Sequence, residues 1–168
     1  MIIVIKIARN QKRLDEANGY GEIWTIVGDS VDTVLEKRRR GMMLFLDDMP
    51  PQIGAYHPLG TNNIVLNRVL VQGVWSLTTS MKHKNAFIYV LLLHEYLHAL
   101  GYVAETRVRR LAYQIARGFL GERHVATNLA KTGPWSLLKD FPLNMIGNPR
   151  LGMEVVRDFD ANRGSYIA

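Results

Sequence analysis

The chain has 168 residues, of which 48% are apolar and 21% are charged, and its formal net charge is +6. This composition is typical of a globular protein and excludes a disordered or low-complexity chain, and the length predicts a single domain over residues 1–168. The chain has no cysteine. Disulfides, thiolate nucleophiles and cysteine zinc sites are therefore excluded, and any metal must be bound by His, Asp or Glu.

Hydrophobic patterns in the first third of the chain predict three strands and one helix. In chain order these are strands at 2–8 and 22–28, a helix at 30–40 and a buried strand at 42–47. Ser30 is predicted to cap the start of the helix, and Gly41 to end it. In "MIIVIKIARNQKR" the apolar residues precede the basic ones and no cleavage site follows, which is unlike a secretory signal and indicates a cytoplasmic protein.

The basic run "EKRRRG" (36–41) at the end of this helix has two interpretations. Acids early in a helix and bases late in it complement the helix dipole, as expected of a solvated helix end. The alternative is a nucleic-acid patch, but the interleaved aromatic residues and the recognition-helix context of such patches are lacking. Nucleic acid is therefore kept only as a secondary candidate partner.

The rest of the chain is predicted to be mainly helical, which makes the whole protein an α+β fold. A loop rich in Pro and Gly (47–62) leads into "NIVLNRVLV" (63–71), whose alternation predicts a strand with one polar face. The later elements are predicted as helices at 85–100, 104–119 and 125–131, a helical turn at 135–139 and a short strand at 153–157.

The apolar run "NAFIYVLLLHEYLHALGYVA" (85–104) has about the ~20 residues that a membrane-spanning helix needs. Two His and one Glu lie near its middle, and each of them would be costly in lipid. The sequence therefore predicts a buried or cleft-lining helix and no membrane span.

The three ionisable residues of this run form the pattern "HEYLH". His94 and His98 are four residues apart, so on a helix both imidazoles lie on one face and can bind one tetrahedral zinc ion. Glu95 projects about 100° further around the helix, outside the ligand set but able to reach a metal-bound water as a general base. The competing interpretation is a buried polar cluster whose members satisfy one another by hydrogen bonds.

At these residues the chain resembles the zincin metallopeptidases. "HEYLHALG" matches the family's zinc-binding signature and its longer form, in which a glycine, here Gly101, ends the helix. The resemblance implies that His94 and His98 bind zinc, and that Glu95 is the general base in hydrolysis of peptide or protein substrates. It also implies a zincin-like fold, with a small mixed sheet over the zinc-binding helix and a second helix packed beside it.

The resemblance extends less specifically to "GTNNIVLNR" (60–68). Zincins place an edge strand above the active-site cleft, where it pairs with an extended substrate by β-augmentation. By this resemblance Asn63, Ile64 and Val65 are predicted to bind the substrate.

Two residues compete for the place of the third zinc ligand. Metzincins have a ligand where this chain has Ala104, so the chain does not resemble that subclass. Glu105, just after the Gly101 turn, would resemble a compact glutamate zincin, although it could simply favour the dipole of the next helix. His124 follows a helix of about 22 Å and would reach the zinc only if that helix were short or differently placed; otherwise it is a loop histidine. Glu122 is a more distant option.

The rival hypothesis is a zinc-binding protein without peptidase activity. Such a protein would be a partner-binding module, or a nuclease that uses the same metal together with its basic surface. Within the peptidase class the enzyme could be latent, since the chain after residue 125 is long enough to fold over the cleft.

Overall fold

The computed structural model describes residues 1–139 and 152–160, which form an α+β fold with a four-stranded sheet, as predicted. The helices are α1 (Ile2–Asp15), α2 (Tyr20–Leu35), α3 (Arg68–Leu77), α4 (Met81–Ala99), α5 (Glu105–Leu120) and α6 (Val125–Thr132). The strands are β1 (Met43–Asp47), β2 (Ala55–Tyr56), β3 (Asn63–Asn67) and β4 (Glu154–Val155), and a 3-10 turn spans Pro134–Leu138.

The sheet has the strand order β2, β3, β1, β4. β1 and β3 pair in parallel, with Leu44 opposite Ile64, and both residues are fully buried. β2 pairs antiparallel with β3, and β4 pairs antiparallel with β1. The predicted strands at 42–47 and 153–157 are confirmed, the second as a two-residue strand.

The predicted strand at 63–71 ends early, because the chain enters α3 at Arg68. Hydrogen bonds of the Asn67 side chain stabilise this transition from strand to helix. Its oxygen accepts a hydrogen bond from the Val69 N–H at 3.1 Å, which caps the helix. Its amide nitrogen donates to the carbonyls of Met49 and Ile53 at 3.1 and 2.8 Å. One buried side chain thus ends β3, starts α3 and holds the preceding loop.

α4 lies at the centre of the molecule and packs against all five other helices and against β3. Every residue from 85 to 93 is buried, as expected of a helix that is apolar on all sides. The predicted helices at 85–100, 104–119 and 125–131 are confirmed, although α4 begins earlier, at Met81. Neither α4 nor another helix in the described part of the chain is long and apolar enough to cross a bilayer.

The strand predicted at 22–28 is wrong, because this segment belongs to α2. The prediction relied on the β-branched residues of "EIWTIVG". The buried side chains instead follow helical spacing, and they are Ile23, Trp24, Ile26, Val27, Ser30 and Val31. Packing of this stripe against α4 and α5 outweighs the weak intrinsic preference of β-branched residues for strands.

The strand predicted at 2–8 is also wrong, because α1 covers it. The second half of α1 attaches the helix to the end of α5. Asn10 Nδ2 donates to the Phe119 carbonyl at 3.0 Å, and Gln11 Nε2 donates to the Leu120 carbonyl at 2.6 Å. Carbonyls in the last turn of a helix lack hydrogen-bond donors within that helix. The side-chain amides of α1 therefore provide the donors for these two carbonyls.

The helix predicted at 30–40 has the wrong bounds. Ser30 lies inside α2 and is buried, where its hydroxyl donates to the Val27 carbonyl at 2.8 Å and accepts from the Tyr89 hydroxyl at 2.9 Å. α2 ends at Leu35, and Glu36 follows in the left-handed conformation with φ of 53°. Gly41 therefore lies beyond the end of the helix.

Two arginines of the basic run bind groups of the protein itself. Arg38 lies 2.9 Å from an Asp29 carboxylate oxygen, and Arg39 donates to the Ala99 carbonyl at 2.6 Å. The second contact ties the chain after α2 to the end of α4. These contacts favour a structural role for both side chains over nucleic-acid binding.

The N-cap of α6 is His124, a buried histidine that uses both ring nitrogens. Nδ1 accepts from the Ala126 N–H at 3.1 Å, and Nε2 donates to an Asp15 carboxylate oxygen at 2.8 Å. Because Nδ1 is an acceptor, this arrangement requires a neutral ring. Burial lowers the pKa of His124, and the Asp15 carboxylate opposes this only in part.

We expect His124 to make folding stability depend on pH. Since its pKa is lowered in the folded state, the unfolded state binds the proton more tightly, and stability falls as the pH drops below about 6.5. His124→Asn keeps an N-cap acceptor and removes the titrating ring. Urea unfolding at pH 8 and pH 5.5 should show a smaller pH-dependent loss of stability in His124→Asn than in the wild type.

His124→Ala serves as a control that removes the cap as well. It should be less stable than His124→Asn by about 1 kcal/mol at either pH. An identical pH dependence of the wild type and His124→Asn would contradict this interpretation.

Candidate metal centre

A turn at the end of α4 brings the chain back beside its own last residues. The Gly101 N–H donates to the His98 carbonyl at 3.0 Å, and the Tyr102 N–H donates to the Leu97 carbonyl at 3.1 Å. This pair of bonds is a Schellman motif. Gly101 has φ of 102°, which strains any residue with a Cβ. Gly101 thus supplies the predicted turn.

The turn also sets the orientation of His98. Its Nδ1 lies 2.8 Å from the Tyr102 carbonyl oxygen, which can only accept, so Nδ1 carries a proton. Nε2 then points away from the turn, toward the start of α5. A backbone carbonyl bound to one imidazole nitrogen is the usual way in which proteins orient the other nitrogen toward a metal.

Glu105, in the first turn of α5, faces both histidines. Its two carboxylate oxygens lie 2.9 Å from His98 Nε2 and 3.1 Å from His94 Nε2. One ligand atom from each of the three residues lies within 4.8 Å of the others. The structure therefore brings together both predicted histidines and one of the two candidates for the third ligand.

The chemistry of this cluster fits a metal ion. His98 has an oxygen atom beside each ring nitrogen, at 2.8 and 2.9 Å. Because Nδ1 is bound to the Tyr102 carbonyl, Nε2 is the nitrogen that could share a cation with the Glu105 carboxylate. A tetrahedral ion with bonds of ~2.1 Å separates its ligand atoms by ~3.4 Å, and the three candidate ligand atoms lie within 4.8 Å of one another, so side-chain rotations would bring them onto one ion.

The protonation of His94 also suits a metal ligand. Burial lowers the pKa of His94, and the nearby His98 and Arg109 act in the same direction, against the opposing effect of Glu105. The imidazole is therefore neutral at pH 7, which is the form that binds metals.

Glu95 lies outside the cluster but lines the same cleft as His94 and Glu105. It is only 8% exposed, and it accepts a hydrogen bond from the backbone N–H of His57. Burial raises the pKa of Glu95 to about 7, although His98 and the hydrogen bond from His57 act in the opposite direction. A carboxylate with such a pKa can accept and release a proton near neutral pH.

The cleft beside the cluster has a volume of about 600 Å³, and residues 52–55 form one of its walls. This segment lies directly on α4. A Cβ added to Gly54 would lie 2.9 Å from Leu91 Cδ2, so any other residue would require the Leu91 side chain to shift. β2 continues from this wall, and it is at the edge of the sheet.

The predicted edge strand is therefore wrong in its placement. Asn63, Ile64 and Val65 belong to β3, which lies between β1 and β2, and Ile64 and Val65 are buried. The loop predicted at 47–62 folds back and adds β2 to the outer side of β3. Sequence reasoning missed β2 because two residues are too few to show alternation.

The opposite wall of the cleft comes from α5, α6 and the 3-10 turn. It carries the basic side chains of Arg109, Arg110 and Lys131 and the aromatic rings of Tyr113 and Trp135. Helical spacing alone places the arginines of α5 on the side of the helix opposite its apolar residues. They are exposed, but the cleft lies on that same side, and only the packing of α6 beside α5 reveals it.

His124, the other candidate for the third ligand, is far from the cluster. It follows the far end of α5, about 22 Å along the helix from Glu105, and both of its ring nitrogens already have partners. Glu122 is also occupied elsewhere, because it accepts from the Tyr113 hydroxyl at 2.7 Å and pairs with Arg117 at 2.8 Å.

Comparison of the chain with protein-family models, with curated proteins and with solved structures finds no match. The functional interpretation therefore rests on the geometry of the cleft and on the residues that line it.

We expect Glu105→Gln to weaken zinc binding at least about a hundredfold, the upper range for loss of a group that merely supports a ligand. The substitution keeps the shape of the side chain and removes its charge. Competition with a chromophoric chelator measures the dissociation constant. His124→Asn is the matched control and should bind zinc like the wild type. Loss of zinc by His124→Asn with retention by Glu105→Gln would assign the third ligand to His124 instead.

Proposed function

We propose that the protein is a zinc-dependent metallopeptidase of the zincin type. The observation that carries the proposal is the approach of the Glu105 carboxylate to both histidines, 3.1 Å from His94 Nε2 and 2.9 Å from His98 Nε2. Glu95 supports it, as a second carboxylate in the same cleft that is kept out of the cluster and has a raised pKa.

In this proposal His94, His98 and Glu105 hold the zinc ion. When bound, the ion polarises the scissile carbonyl and lowers the pKa of a water. The Glu95 carboxylate takes a proton from the attacking water and passes it to the leaving amine. Its hydrogen bond from the His57 backbone and its burial hold the carboxylate in one place, so that little reorganisation is needed.

The outer side of β2 and the adjoining residues 52–54 are the proposed docking edge for the substrate backbone. No strand in the described residues pairs with that side of β2, and residues 52–55 line the cleft. An extended peptide could therefore add to the sheet there by β-augmentation. This edge replaces Asn63, Ile64 and Val65 as the proposed substrate-binding segment.

The charges of the opposite wall favour acidic substrates. Arg109, Arg110 and Lys131 line the cleft, and among the residues that the structure describes the lining carboxylates are Glu95 and Glu105, both assigned to the metal centre and its chemistry. Within that part of the chain the three cations form no ion pair and can meet a ligand. We infer that the preferred peptides carry an acidic side chain near the scissile bond.

A metal-dependent nuclease is the second candidate function. The same three cations could hold phosphates, and Tyr113 and Trp135 in the cleft could stack on bases. The docking edge at residues 52–55 favours the peptidase, because a strand edge offers hydrogen bonds to a peptide backbone. Single-stranded RNA therefore belongs in every activity assay as a second substrate.

Glu95→Gln should lower peptide hydrolysis by roughly 10²–10⁴-fold and retain zinc, because it removes the base and no ligand. His94→Ala should lose both zinc and activity. Hydrolysis of a quenched fluorescent peptide library and metal content by mass spectrometry measure the two effects. Glu122→Gln, a substitution outside the cleft, is the control. Full activity of Glu95→Gln would refute the mechanism, and cleavage of RNA alone would identify a nuclease.

Arg109→Gln should lower kcat/KM for peptides with an acidic residue near the scissile bond by about tenfold relative to matched neutral peptides. The ratio between the two peptides isolates specificity from any effect on zinc. Arg107→Gln is the control, because Arg107 is on the same helix, lies over the Tyr102 ring at 4.9 Å and does not line the cleft. An unchanged ratio in Arg109→Gln would exclude this residue as a determinant of specificity.

A further inference from the structure

Met1 and the first turn of α1 form a tip of five consecutive apolar residues that the described residues, 1–139 and 152–160, leave exposed. The exposed fractions are 97% for Met1, 83% for Ile2, 73% for Ile3, 68% for Val4 and 64% for Ile5. Single exposed apolar residues are common, but a contiguous exposed patch marks a surface that contacts something else. We call residues 1–5 the apolar tip.

The shape of the apolar tip selects among possible occupants. Successive residues of a helix are turned by about 100°, so the four residues from Ile2 to Ile5 cover about 300° of its circumference. A helix that packs against a partner buries a stripe at positions i, i+3 and i+4 and leaves the rest polar. An apolar medium that surrounds the tip would cover it fully. The hydrocarbon region of a membrane surface is such a medium.

The residues below the tip add charge. Lys6, Arg9, Lys12 and Arg13 follow within two turns, and Asp15 is the first acidic residue of the chain. Arg13 pairs with Asp29 at 2.7 Å, whereas the three other bases form no ion pair within residues 1–139 and 152–160. Basic side chains that directly follow an apolar segment can bind the negatively charged headgroups of a bilayer that contains anionic lipids.

The attachment of α1 holds the tip outward. Besides the contacts of Asn10 and Gln11 with the end of α5, Asn85 Nδ2 donates to the Leu14 carbonyl at 2.9 Å and ties the last turn of α1 to α4. Residues 1–5 extend about 6 Å along the helix axis, comparable with the 5–10 Å to which interfacial helices are buried.

We propose that the apolar tip of α1 inserts into the surface of an anionic membrane, with Lys6, Arg9 and Lys12 on its headgroups. The tip extends from the part of α1 that contacts the end of α5, whereas Glu105 begins that helix about 22 Å away. Insertion therefore leaves the metal centre exposed to water. The proposal is independent of the reaction that the metal centre catalyses.

The test is co-sedimentation of the full chain with vesicles of phosphatidylcholine, with and without phosphatidylserine. The wild type should bind the vesicles that contain phosphatidylserine. The double variant Ile3→Asn, Ile5→Asn should bind them at least about tenfold more weakly, because it places two amides in hydrocarbon. Lys6→Gln should weaken binding by roughly fivefold, the effect of about 1 kcal/mol per base at an anionic surface.

Leu59→Asn is the matched control. Leu59 is 77% exposed but lies in the loop before β3, so its substitution should leave vesicle binding unchanged. Zinc binding and thermal unfolding of each variant establish that the fold is retained. Ile3→Trp supplies a direct measurement, because its fluorescence should shift to the blue and be quenched by brominated lipid.

Absence of wild-type binding to anionic vesicles would overturn the proposal, as would equal binding by the double variant. Self-association that occurs without lipid and is abolished by the double variant would identify a second copy of the chain as the occupant, and would also overturn it.

Discussion

Burial of α4 on all sides from residue 85 to residue 93 fixes the direction of the turn of helix that follows, which carries His94, Glu95 and His98. The side chains of these three residues have little freedom, because the backbone that bears them is packed against five helices and a strand. Because the backbone is fixed up to residue 93, the orientation of His94 and His98 depends on their polar contacts with the residues that follow the helix. The Schellman turn at Gly101 brings the Tyr102 carbonyl and the Glu105 carboxylate within reach of the histidines.

The electrostatics of the site follow from that burial. Removing a charged group from water favours its neutral form, and this lowers the pKa of His94 and raises the pKa of Glu95. The two shifts have complementary chemical uses. A neutral imidazole can bind a metal, and a carboxylate with a pKa near 7 can both accept and release a proton. One physical cause thus prepares two neighbouring residues for different tasks.

Several sequence predictions were correct because the apolar residues of the segment are buried in the core. One was wrong because the segment is rich in apolar residues that are exposed in the structure. α5 was predicted because its apolar residues recur at helical spacing and are buried, and α4 because its long apolar run is buried on all sides. The strand predicted at 2–8 was wrong because its aliphatic residues are largely exposed, so they carry no information about a core. The strand at 22–28 was wrong because β-branched residues outweighed a helical stripe in the interpretation. β2 was missed because its position depends on the side chain of Asn67, which holds the loop before it.

The sequence by itself determined the pair of histidines on one face and the glutamate beside them, because the spacings of i to i+4 and i to i+1 fix directions within a single helix. It left Glu105 and His124 as alternatives for a third metal ligand. Only the tertiary structure shows which of them lies beside the histidines, because that depends on the direction of α5 after the turn at Gly101. The direction of α5 places Glu105 beside both histidines and carries His124 to the other end of the helix, where Asp15 binds it.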